Sequence, residues 1–417
     1  MYLTDEEKSM LNGDHGEIKQ RCMQFLVDYG EVAGAEHLID LDGNVDLHPP
    51  YGNWLGDYDV SYEEVVELAE IGEKFKVPTF ANKAVNPGMI VDGWEKIDLE
   101  PFTNPEFRMK QEEMMKPYMK MGMVPILSCN YYLVSSYTPT VGQHCAWVES
   151  SAIPWGNAVL GARTNFDGCF QTAYLGKVPA YDMHLDENRK ATVLVEYMDE
   201  LKTDMDYDLF GWAVGEMVGL EVPALIGVGK PTTSQLVKMN TSLNTGGQVR
   251  MYHVPGLTPE APTLEAAFSG NYQRKIQLGR DDLRKIYDKM NYASNDQVDF
   301  VYLGCPHYNI EEILKVARLV DGKKLKATMW ITTNPSSYKV AKDMGLIEII
   351  EKAGGNVLSG TCPGILGKLP PSTVMATDAA KQNYYINGIY QDLHVWYGTT
   401  EDCVESAIKG VWQGEWK

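Results

Sequence analysis

The chain has 417 residues, of which 44% are apolar, and a formal net charge of −20. This acidity argues against nucleic acid as a partner, because phosphate binding needs a lysine and arginine stripe that the sequence lacks. No window approaches the roughly 18 apolar residues of a membrane span, and the acidic N-terminus does not resemble a secretory signal. We therefore expect a cytoplasmic globular protein with two parts, at about residues 1–205 and 206–417.

The N-terminal part is predicted to contain three helices and one short strand. Ser61 and Glu64 have capping-box spacing at the start of the third helix, and the strand is expected to end near Cys129. From Glu149 to Cys169 the chain places small and hydrogen-bonding residues around one arginine without a clean period, which predicts loops and short helices. The predicted helices lie at 4–13, 16–34 and 61–75, and the strand at 123–134.

The C-terminal part alternates predicted helices with short apolar strands. Helices of this length between short strands indicate a parallel sheet with crossover helices, so the predicted fold class is α/β. The predicted helices lie at 209–219, 230–240, 280–290, 309–320 and 336–354. The predicted strands lie at 222–229, 248–254, 298–304, 325–333 and 355–360.

Three short stretches at predicted strand ends suggest chemistry, namely "GCPH" at 304–307, "TTN" at 332–334 and "GTCPG" at 360–364. In open α/β sheets the carboxyl ends of the strands line the ligand crevice. Cys305 and Cys362 are therefore expected to face one crevice, at strand-to-helix turns whose backbone N–H groups favour a thiolate. From the pattern alone, each cysteine could equally be a small buried hydrophobe.

Other familiar catalytic patterns are missing from the sequence. The absence of C-x-x-C and H-E-x-x-H argues against a structural zinc site or a zincin, and the glycine patterns of nucleotide-binding loops are incomplete. G-x-S-x-G is also absent, which removes the simplest hydrolase interpretation. The seven cysteines are scattered and odd in number, so a disulfide framework is not expected.

Several stretches together resemble the aconitase X family. The core of the resemblance is "ESSAIPWGNAVLGARTN" at 149–165, with "GQHCAW" before it and "YDMHLDENR" after it. "SCNYYL", "LGCPH", "GTCPG", "GDHGE" and "ATDAAKQNYY" also match, so the resemblance spans almost the whole chain. It implies an aconitase-like catalytic core of parallel sheets and crossover helices that lacks the swivel domain of that superfamily.

The resemblance also implies an activity and a cofactor. Family members are hydro-lyases that dehydrate small β-hydroxy acids, such as cis-3-hydroxy-L-proline or (R)-5-phosphomevalonate, with an iron–sulfur cluster or a single iron. By position in the matching motifs, the iron ligands would be Cys129, Cys305 and Cys362. Three cysteines leave one iron position open for the departing hydroxide. The family has no evident need for the other four cysteines, Cys22, Cys145, Cys169 and Cys403.

Dehydration also needs groups that move a proton and hold a carboxylate. Arg163 is expected to clasp the carboxylate through two parallel N–H bonds, and Glu149 is expected to orient water or the leaving group. Local loop capping is an equally open role for the serines and asparagines. The predicted catalytic residues are Glu149, Ser150 and Ser151, and the predicted substrate-binding residues are Asn157, Arg163, Thr164 and Asn165.

The implied partner is a small swivel-domain subunit that carries the serine acting as base, because no stretch of the chain is left over for that domain. Gln143 stands where the family has glutamate, and Phe166 and Asp167 replace Arg-Glu. Loss of the positive charge disfavours a doubly anionic ligand, so cis-3-hydroxy-L-proline or a similar monocarboxylate is favoured over phosphomevalonate.

Two hypotheses from other classes remain open at this point. An iron-independent cysteine or zinc hydrolase would need histidine and acidic partners near Cys305. A non-catalytic subunit that retained only the fold would hold Cys129, Cys305 and Cys362 far apart.

Overall fold

The structure, a computed structural model, describes residues 1–48, 60–82, 105–134, 137–361, 369, 372–389 and 393–416. Its helices are α1 (Asp5–Leu11), α2 (Glu17–Val32), α3 (Tyr62–Glu70), α4 (Pro105–Lys120), α5 (Ala152–Pro154), α6 (Phe170–Leu175), α7 (Asp204–Val218), α8 (Thr233–Gly247), α9 (Leu264–Ala267), α10 (Arg280–Met290), α11 (Ile310–Val320), α12 (Pro335–Asp343), α13 (Leu346–Ala353), α14 (Ala380–Ile389) and α15 (Thr400–Lys409). Its strands are β1 (Leu38–Asp40), β2 (Val45–Leu47), β3 (Thr79–Ala81), β4 (Val124–Pro125), β5 (Lys177–Pro179), β6 (Val193–Tyr197), β7 (Pro223–Ile226), β8 (Arg274–Leu278), β9 (Phe300–Tyr308), β10 (Thr328–Thr333), β11 (Gly355–Ser359), β12 (Val374–Thr377) and β13 (His394–Tyr397).

The N-terminal part contains two small sheets. Strands β2, β3 and β4 pair in parallel, whereas β1 pairs antiparallel with β5. Helix α2 packs its apolar face, with Met23 and Leu26, into the core beside α6. At the start of α3, Ser61 and Glu64 form the predicted reciprocal capping box.

The central part combines a three-stranded parallel sheet, in the order β7-β6-β8, with the closely packed helices α7 and α8. A Cβ built on Gly247 of α8 would lie 1.8 Å from the carbonyl oxygen of Gly215 on α7. A Cβ on Gly211 would lie 2.5 Å from the carbonyl oxygen of Met239. Since any larger side chain would clash with backbone at these points, glycine permits the close approach of the two helices.

The C-terminal part is a five-stranded parallel sheet in the order β11-β10-β9-β12-β13. Its central strand β9 is buried along its whole length. Val301 and Leu303 pack into the core beneath α11, α13 and α15, while Phe300 and Tyr302 belong to the core on the opposite side. This arrangement confirms the predicted α/β class with parallel sheets and crossover helices.

Most of the predicted helices are confirmed. The segments at 4–13, 16–34, 61–75, 209–219, 230–240, 280–290 and 309–320 correspond to α1, α2, α3, α7, α8, α10 and α11. The prediction of a single helix at 336–354 is wrong, because this segment forms two helices, α12 and α13. Gly345 adopts a φ of +75° and separates them.

The strand predictions needed more correction. The segment at 248–254 forms no strand, only a bridge between His253 and Ala224 beside β7. The strand predicted at 123–134 is reduced to β4, because Leu127 has a φ of +58° and a 3-10 turn follows at Tyr131–Leu133. Strand β9 runs on to Tyr308, so "GCPH" lies inside the end of the strand and not in a turn after it.

The described part of the chain contains no helix that is both long and apolar enough to cross a membrane.

Candidate active site

Two of the predicted iron ligands lie in segments that touch each other. Cys129 follows β4 and Cys305 lies near the end of β9, and both side chains are buried. The backbone N–H of His307 donates a hydrogen bond to Sγ of Cys129 at 3.3 Å. The side-chain amide of Asn130 donates to the carbonyl oxygen of His307 at 2.7 Å. These bonds hold the Cys129 segment against the carboxyl end of β9.

The segment before the third predicted ligand reaches the same place. Nε2 of His307 donates to the carbonyl oxygen of Thr361 at 2.5 Å, and Thr361 immediately precedes Cys362. Cys362 itself lies outside the described residues. Among the described residues, no group of three His, Cys, Asp or Glu side chains is arranged to hold a metal ion. Cys129, the Cys305 segment and the residue before Cys362 therefore meet at His307.

The chemistry of this region fits a cysteine-ligated iron centre. Cysteine thiolates are the usual ligands of iron–sulfur clusters, whose properties depend on burial and on hydrogen bonds to sulfur. Cys129 provides both features, since it is buried and accepts a backbone N–H bond from His307. His307 thus connects the Cys129 and Thr361 segments through its backbone N–H and its side chain.

A buried ion pair lies beside Ser151, the residue that donates a hydrogen bond to the carbonyl oxygen of Cys129. Nζ of Lys381, on α14, is 2.5 Å from Oε1 of Glu149 and 2.6 Å from Oγ of Ser150. Ser150 also donates to Glu149 at 3.1 Å, and Ser151 donates to the carbonyl oxygen of Cys129 at 3.2 Å. The three predicted catalytic residues are thereby brought together with one lysine beside the cysteine segment.

A second buried lysine lies behind this group. Nζ of Lys238, on α8, donates to the carbonyl oxygen of Asp378 at 2.7 Å and lies 3.2 Å from its Oδ2. Burial alone would lower the pKa of Lys238, but Asp378 and Asp208 together raise it above its ordinary value. Burial raises the pKa of Asp208, against the opposing effect of Lys238. Both lysines of this region are therefore already matched by carboxylates.

Asn157 lies in a π-helical turn, Trp155–Leu160, and the other predicted substrate-binding residues lie in the loop after it. Their described contacts are with protein groups. Arg163 forms an ion pair with Asp186, whose side chain is 79% exposed. Asn157 binds the main chain of Thr164 through both ends of its amide. Asn165 donates to the carbonyl oxygen of Tyr181 at 3.2 Å. These contacts shape the loop between Glu149 and Cys169, and a direct role in substrate binding stays a prediction.

The positions that depart from the family pattern lie beside a pair of histidines. Nδ1 of His144 is 3.0 Å from Nδ1 of His184, whose Nε2 is 2.9 Å from Oδ2 of the buried Asp167. Phe166 is 40% exposed. Gln143 receives the backbone N–H of Thr140 at 2.8 Å and therefore ties a loop together. Asp167 is thus engaged with a histidine inside the protein.

Sequence reasoning did not single out Lys381, Lys238 or Asp378, which the structure places beside the predicted catalytic residues. The stretch "ATDAAKQNYY" was recognised only as a match to the family. Within this stretch, Asp378 and Lys381 follow an apolar strand closely, and this position indicates charged groups at a strand end. Lys238 gave no such signal, because a lysine within an amphipathic helix usually faces solvent.

Comparison with known proteins places this geometry in a family. Family models for the first, second and third domains of aconitase X match residues 1–187, 191–288 and 298–409. The chain belongs to the aconitase X family. The matched ranges leave no stretch of swivel-domain length within the 417 residues. The division into two parts near residue 205 stays a prediction.

Characterised relatives define the class of enzyme. The phosphomevalonate dehydratase large subunit of Methanosarcina mazei is 31% identical over 98% of this chain and 98% of its own length. The cis-3-hydroxy-L-proline dehydratase of Hypocrea jecorina is 30% identical over 98% of this chain and 69% of its own length. The crystal structure of Thermococcus kodakaraensis aconitase X in its holo-form is 30% identical, with a TM-score of 0.81 over 98% of this chain and 100% of that one. This chain is accordingly a dehydratase of the aconitase superfamily.

Proposed function

We propose that this chain is the large subunit of an iron-dependent hydro-lyase that removes water from cis-3-hydroxy-L-proline or a similar small β-hydroxy monocarboxylate. The observation that carries the proposal is the meeting of the Cys129, Cys305 and Thr361 segments at His307, beside the buried Glu149–Lys381 pair. Cys129, Cys305 and Cys362 would hold the iron centre, either a cluster or a single iron. When bound, the iron supplies the Lewis acid that accepts the departing hydroxide.

The residues around the iron site have separate proposed tasks. Lys381 presents its ammonium group beside Glu149 and Ser150, where it stabilises negative charge that develops on the substrate carboxylate. Glu149, held by Lys381, orients the leaving group. Ser150 and Ser151 position these groups through their hydrogen bonds. The loop residues Asn157, Arg163, Thr164 and Asn165 are proposed to complete the substrate site.

The charge of the described site supports a monocarboxylate substrate. Lys381 is already paired with Glu149, and Lys238 with Asp378, so these described cations leave no excess positive charge. A hydroxyproline carries one carboxylate and one ammonium group and needs little compensation. Phosphomevalonate adds a phosphate, which usually requires further arginine or lysine contacts.

Phosphomevalonate is the second candidate substrate, and one observation favours it. The phosphomevalonate dehydratase large subunits from Methanosarcina mazei and Thermococcus kodakarensis are matched over 98% and 99% of their lengths. The hydroxyproline dehydratases from Hypocrea jecorina and Pseudomonas aeruginosa are longer, and 69% of each is matched.

The proposed partner follows from the same difference in length. Several relatives are named as large subunits, which implies a small subunit in those enzymes. We propose that a separate small swivel-domain subunit completes this enzyme and supplies the catalytic serine. The chain alone is then expected to turn over substrate much more slowly than the two-subunit complex.

The cofactor is tested by anaerobic reconstitution with iron and sulfide. We expect iron binding with a charge-transfer absorption in the wild type, and its loss in the Cys305→Ser variant. Cys403→Ser is the matched control, because Cys403 is also buried but lies on α15, in the core under α11. Equal iron uptake by the two variants would contradict the ligand assignment.

The substrate is tested by adding the small subunit and measuring dehydration of cis-3-hydroxy-L-proline and of (R)-5-phosphomevalonate. Faster turnover of the hydroxyproline supports the first proposal. Faster turnover of the phosphorylated acid would replace it with the second while leaving the iron assignment intact.

A further inference from the structure

The exposed face of α14 lies directly beside the candidate active site. Lys381, in the first turn of this helix, places its ammonium group against Glu149 and Ser150. Tyr384 and Tyr385 follow Lys381 by three and four positions, and they are 55% and 42% exposed. Because residues three and four apart share one face of a helix, the two tyrosines continue the face of Lys381 out to the surface.

The composition of this face is typical of a protein interface. Residues 382–389 read QNYYINGI and include no charged residue, although 23% of the chain is charged. Exposed helix faces are normally rich in charged residues, whereas the centres of interfaces are enriched in tyrosine and depleted of charge. The exposed members among the described residues are Tyr384, Tyr385, Asn387 and Gly388. We call these four residues the tyrosine face.

The two tyrosines are held in place by the free chain itself. The ring of Tyr384 packs on that of Trp212, on α7, with centroids 5.5 Å apart, and on that of Tyr385 with centroids 5.8 Å apart. Trp212 is fixed in turn, because its Nε1 donates a hydrogen bond to Glu216 at 3.0 Å. Ordered side chains lose little entropy on binding, and aromatic anchors dominate the energy of interfaces. The tyrosine face is thus preorganised for contact.

The tyrosine face is also continuous with the charges of the site. Nζ of Lys381 lies 5.7 Å from the ring centroid of Tyr385, within the range of a cation–π contact. The side chain of Lys381 is 10% exposed, so the site opens to solvent beside this ring. One turn further along the helix, a Cβ built on Gly388 would meet no atom within 4 Å. A protein bound here would therefore lie over the solvent-facing end of the Glu149–Lys381 pair.

We infer that the tyrosine face is the surface on which the small subunit docks. This inference rests on the proposed function, in which a separate subunit brings a serine to the substrate beside Lys381. A subunit that reaches this point must contact the residues around the opening of the site, and the tyrosine face provides them on α14. The net charge of −20 opposes pairing of this face with a second copy of the chain.

The test measures binding of the purified small subunit to the iron-reconstituted chain by calorimetry. Tyr384→Arg places a charge on the tyrosine face, and Gly388→Arg adds a long side chain where the free chain has room for one. We expect each variant to raise the Kd at least about thirtyfold, as loss of an aromatic anchor or burial of an unpaired charge does. Turnover should fall at low concentrations of small subunit, and excess small subunit should restore kcat.

Two controls separate weaker docking from damage to the fold. Tyr2→Arg changes another exposed tyrosine, which is 71% exposed and also has a lysine, Lys8, over its ring, but which precedes α1 in the N-terminal part. Gly388→Ala adds only a methyl group at the position of the second variant. Both controls should keep a Kd close to that of wild type. All four variants should keep the iron absorption of wild type and a similar Tm.

Each outcome decides the inference. Weaker binding in both arginine variants, with kcat restored by excess small subunit, supports the docking surface. A wild-type Kd in both variants would place docking elsewhere and overturn the inference, while the proposed two-subunit enzyme would stand. If sedimentation shows that the chain dimerises and that Tyr384→Arg makes it monomeric, the occupant is a second copy and the inference is wrong. If wild type binds no small subunit and is fully active alone, the proposed partner fails and the inference fails with it.

Discussion

The ion pair between Glu149 and Lys381 joins residues that are 232 positions apart in the chain. Glu149 is 2% exposed and Lys381 is 8% exposed. Buried charges are costly and persist in proteins only when they are paired and hydrogen-bonded. Ser150 satisfies this need by bonding to both partners. In the proposed function, the pair provides fixed charge at the point where the substrate carboxylate becomes more negative during dehydration.

Substitution of Lys381 by Met should remove that charge while keeping most of the side-chain volume. We expect kcat to fall by about 100-fold or more, because loss of one preorganised electrostatic contact in a transition state typically has that effect. KM should change less than kcat. Lys285→Met is the control, because Lys285 is exposed on α10 and pairs with Asp282 on its own helix. Similar kcat values for the two variants would exclude Lys381 from the chemistry.

His144 should make the stability of the protein depend on pH. Burial, together with His184 and Arg163, lowers the pKa of His144 from 6.5 to about 4. The unfolded chain therefore takes up a proton at this residue at higher pH than the folded chain does. The stabilising contribution is complete above about pH 6.5 and is lost as the pH falls toward 4.

The measurement is urea unfolding of wild type and His144→Gln at several pH values between 7 and 4.5. As the pH falls, the free energy of unfolding of the variant should decrease less steeply than that of wild type. The difference between the two slopes should correspond to at most one proton. His184 and Asp167 lie against His144 on one side, and Asp42 accepts its backbone N–H on the other. His15→Gln, at an exposed position, should keep the wild-type slope. Parallel curves for wild type and His144→Gln would refute the assignment.

The sequence could select individual candidate residues for the site, but it could not predict their contacts. The run from Glu149 to Ser151 could be selected because its residue types and the family resemblance agreed. Its partner Lys381 could not, since pairing across 232 positions depends on how the central and C-terminal parts pack. For Asn157, the sequence could not decide between substrate binding and loop capping, because the same amide suits either.

At the level of helices and strands, local patterns succeeded where the signal was contained in one segment. The helix α10 was predicted at its observed bounds, since apolar spacing and acidic residues in its first turn mark it clearly. Strands β6 and β8 were not predicted, although β6 is the centre of its sheet. Strand β8 is largely exposed and charged, with the sequence RKIQL, so its pairing with β6 is the main cause of its conformation.

The break between α12 and α13 gives a prediction at this level. Gly345 has a φ of +75°, and a Cβ built on it would meet no atom within 4 Å. Gly345→Ala should therefore destabilise the protein by about 1 kcal/mol through backbone strain alone, without a steric clash.

Gly388→Ala on α14 is the matched control for that prediction. Gly388 is also free of neighbours within 4 Å, but it lacks the positive φ. Alanine there should stabilise the helix by roughly 0.5–1 kcal/mol. Chemical denaturation of both variants should give changes of opposite sign. A shared sign would mean that backbone conformation does not control the break.

At the scale of the whole molecule, the central and C-terminal parts are joined by buried polar contacts. Asp208 on α7 accepts the backbone N–H of Ala380 at 2.8 Å and the hydroxyl of Tyr397 at 2.8 Å. Lys238 on α8 reaches Asp378 in the loop after β12. Because Asp378 and Ala380 lie at the start of α14, these contacts also fix the position of Lys381. The packing of the two parts thus positions the candidate active site.

Removal of one partner of this buried link should destabilise the molecule strongly. In Lys238→Met, the buried carboxylate of Asp378 would keep its hydroxyl donors Tyr308 and Thr400 but lose its only described lysine partner. We expect a loss of about 3–5 kcal/mol in the free energy of unfolding, because an uncompensated buried charge remains.

The control for Lys238→Met is Lys339→Met, which breaks an exposed pair with Asp343 on α12 and should cost no more than about 0.5 kcal/mol. Urea unfolding followed by tryptophan fluorescence and by circular dichroism measures both variants. If Lys238 couples the central and C-terminal parts, its removal should also change unfolding from one transition to two. The central and C-terminal cores would then unfold independently. A small, single-step change like that of the control would show that apolar packing alone joins the two parts, and Lys381 would then be positioned without help from Lys238.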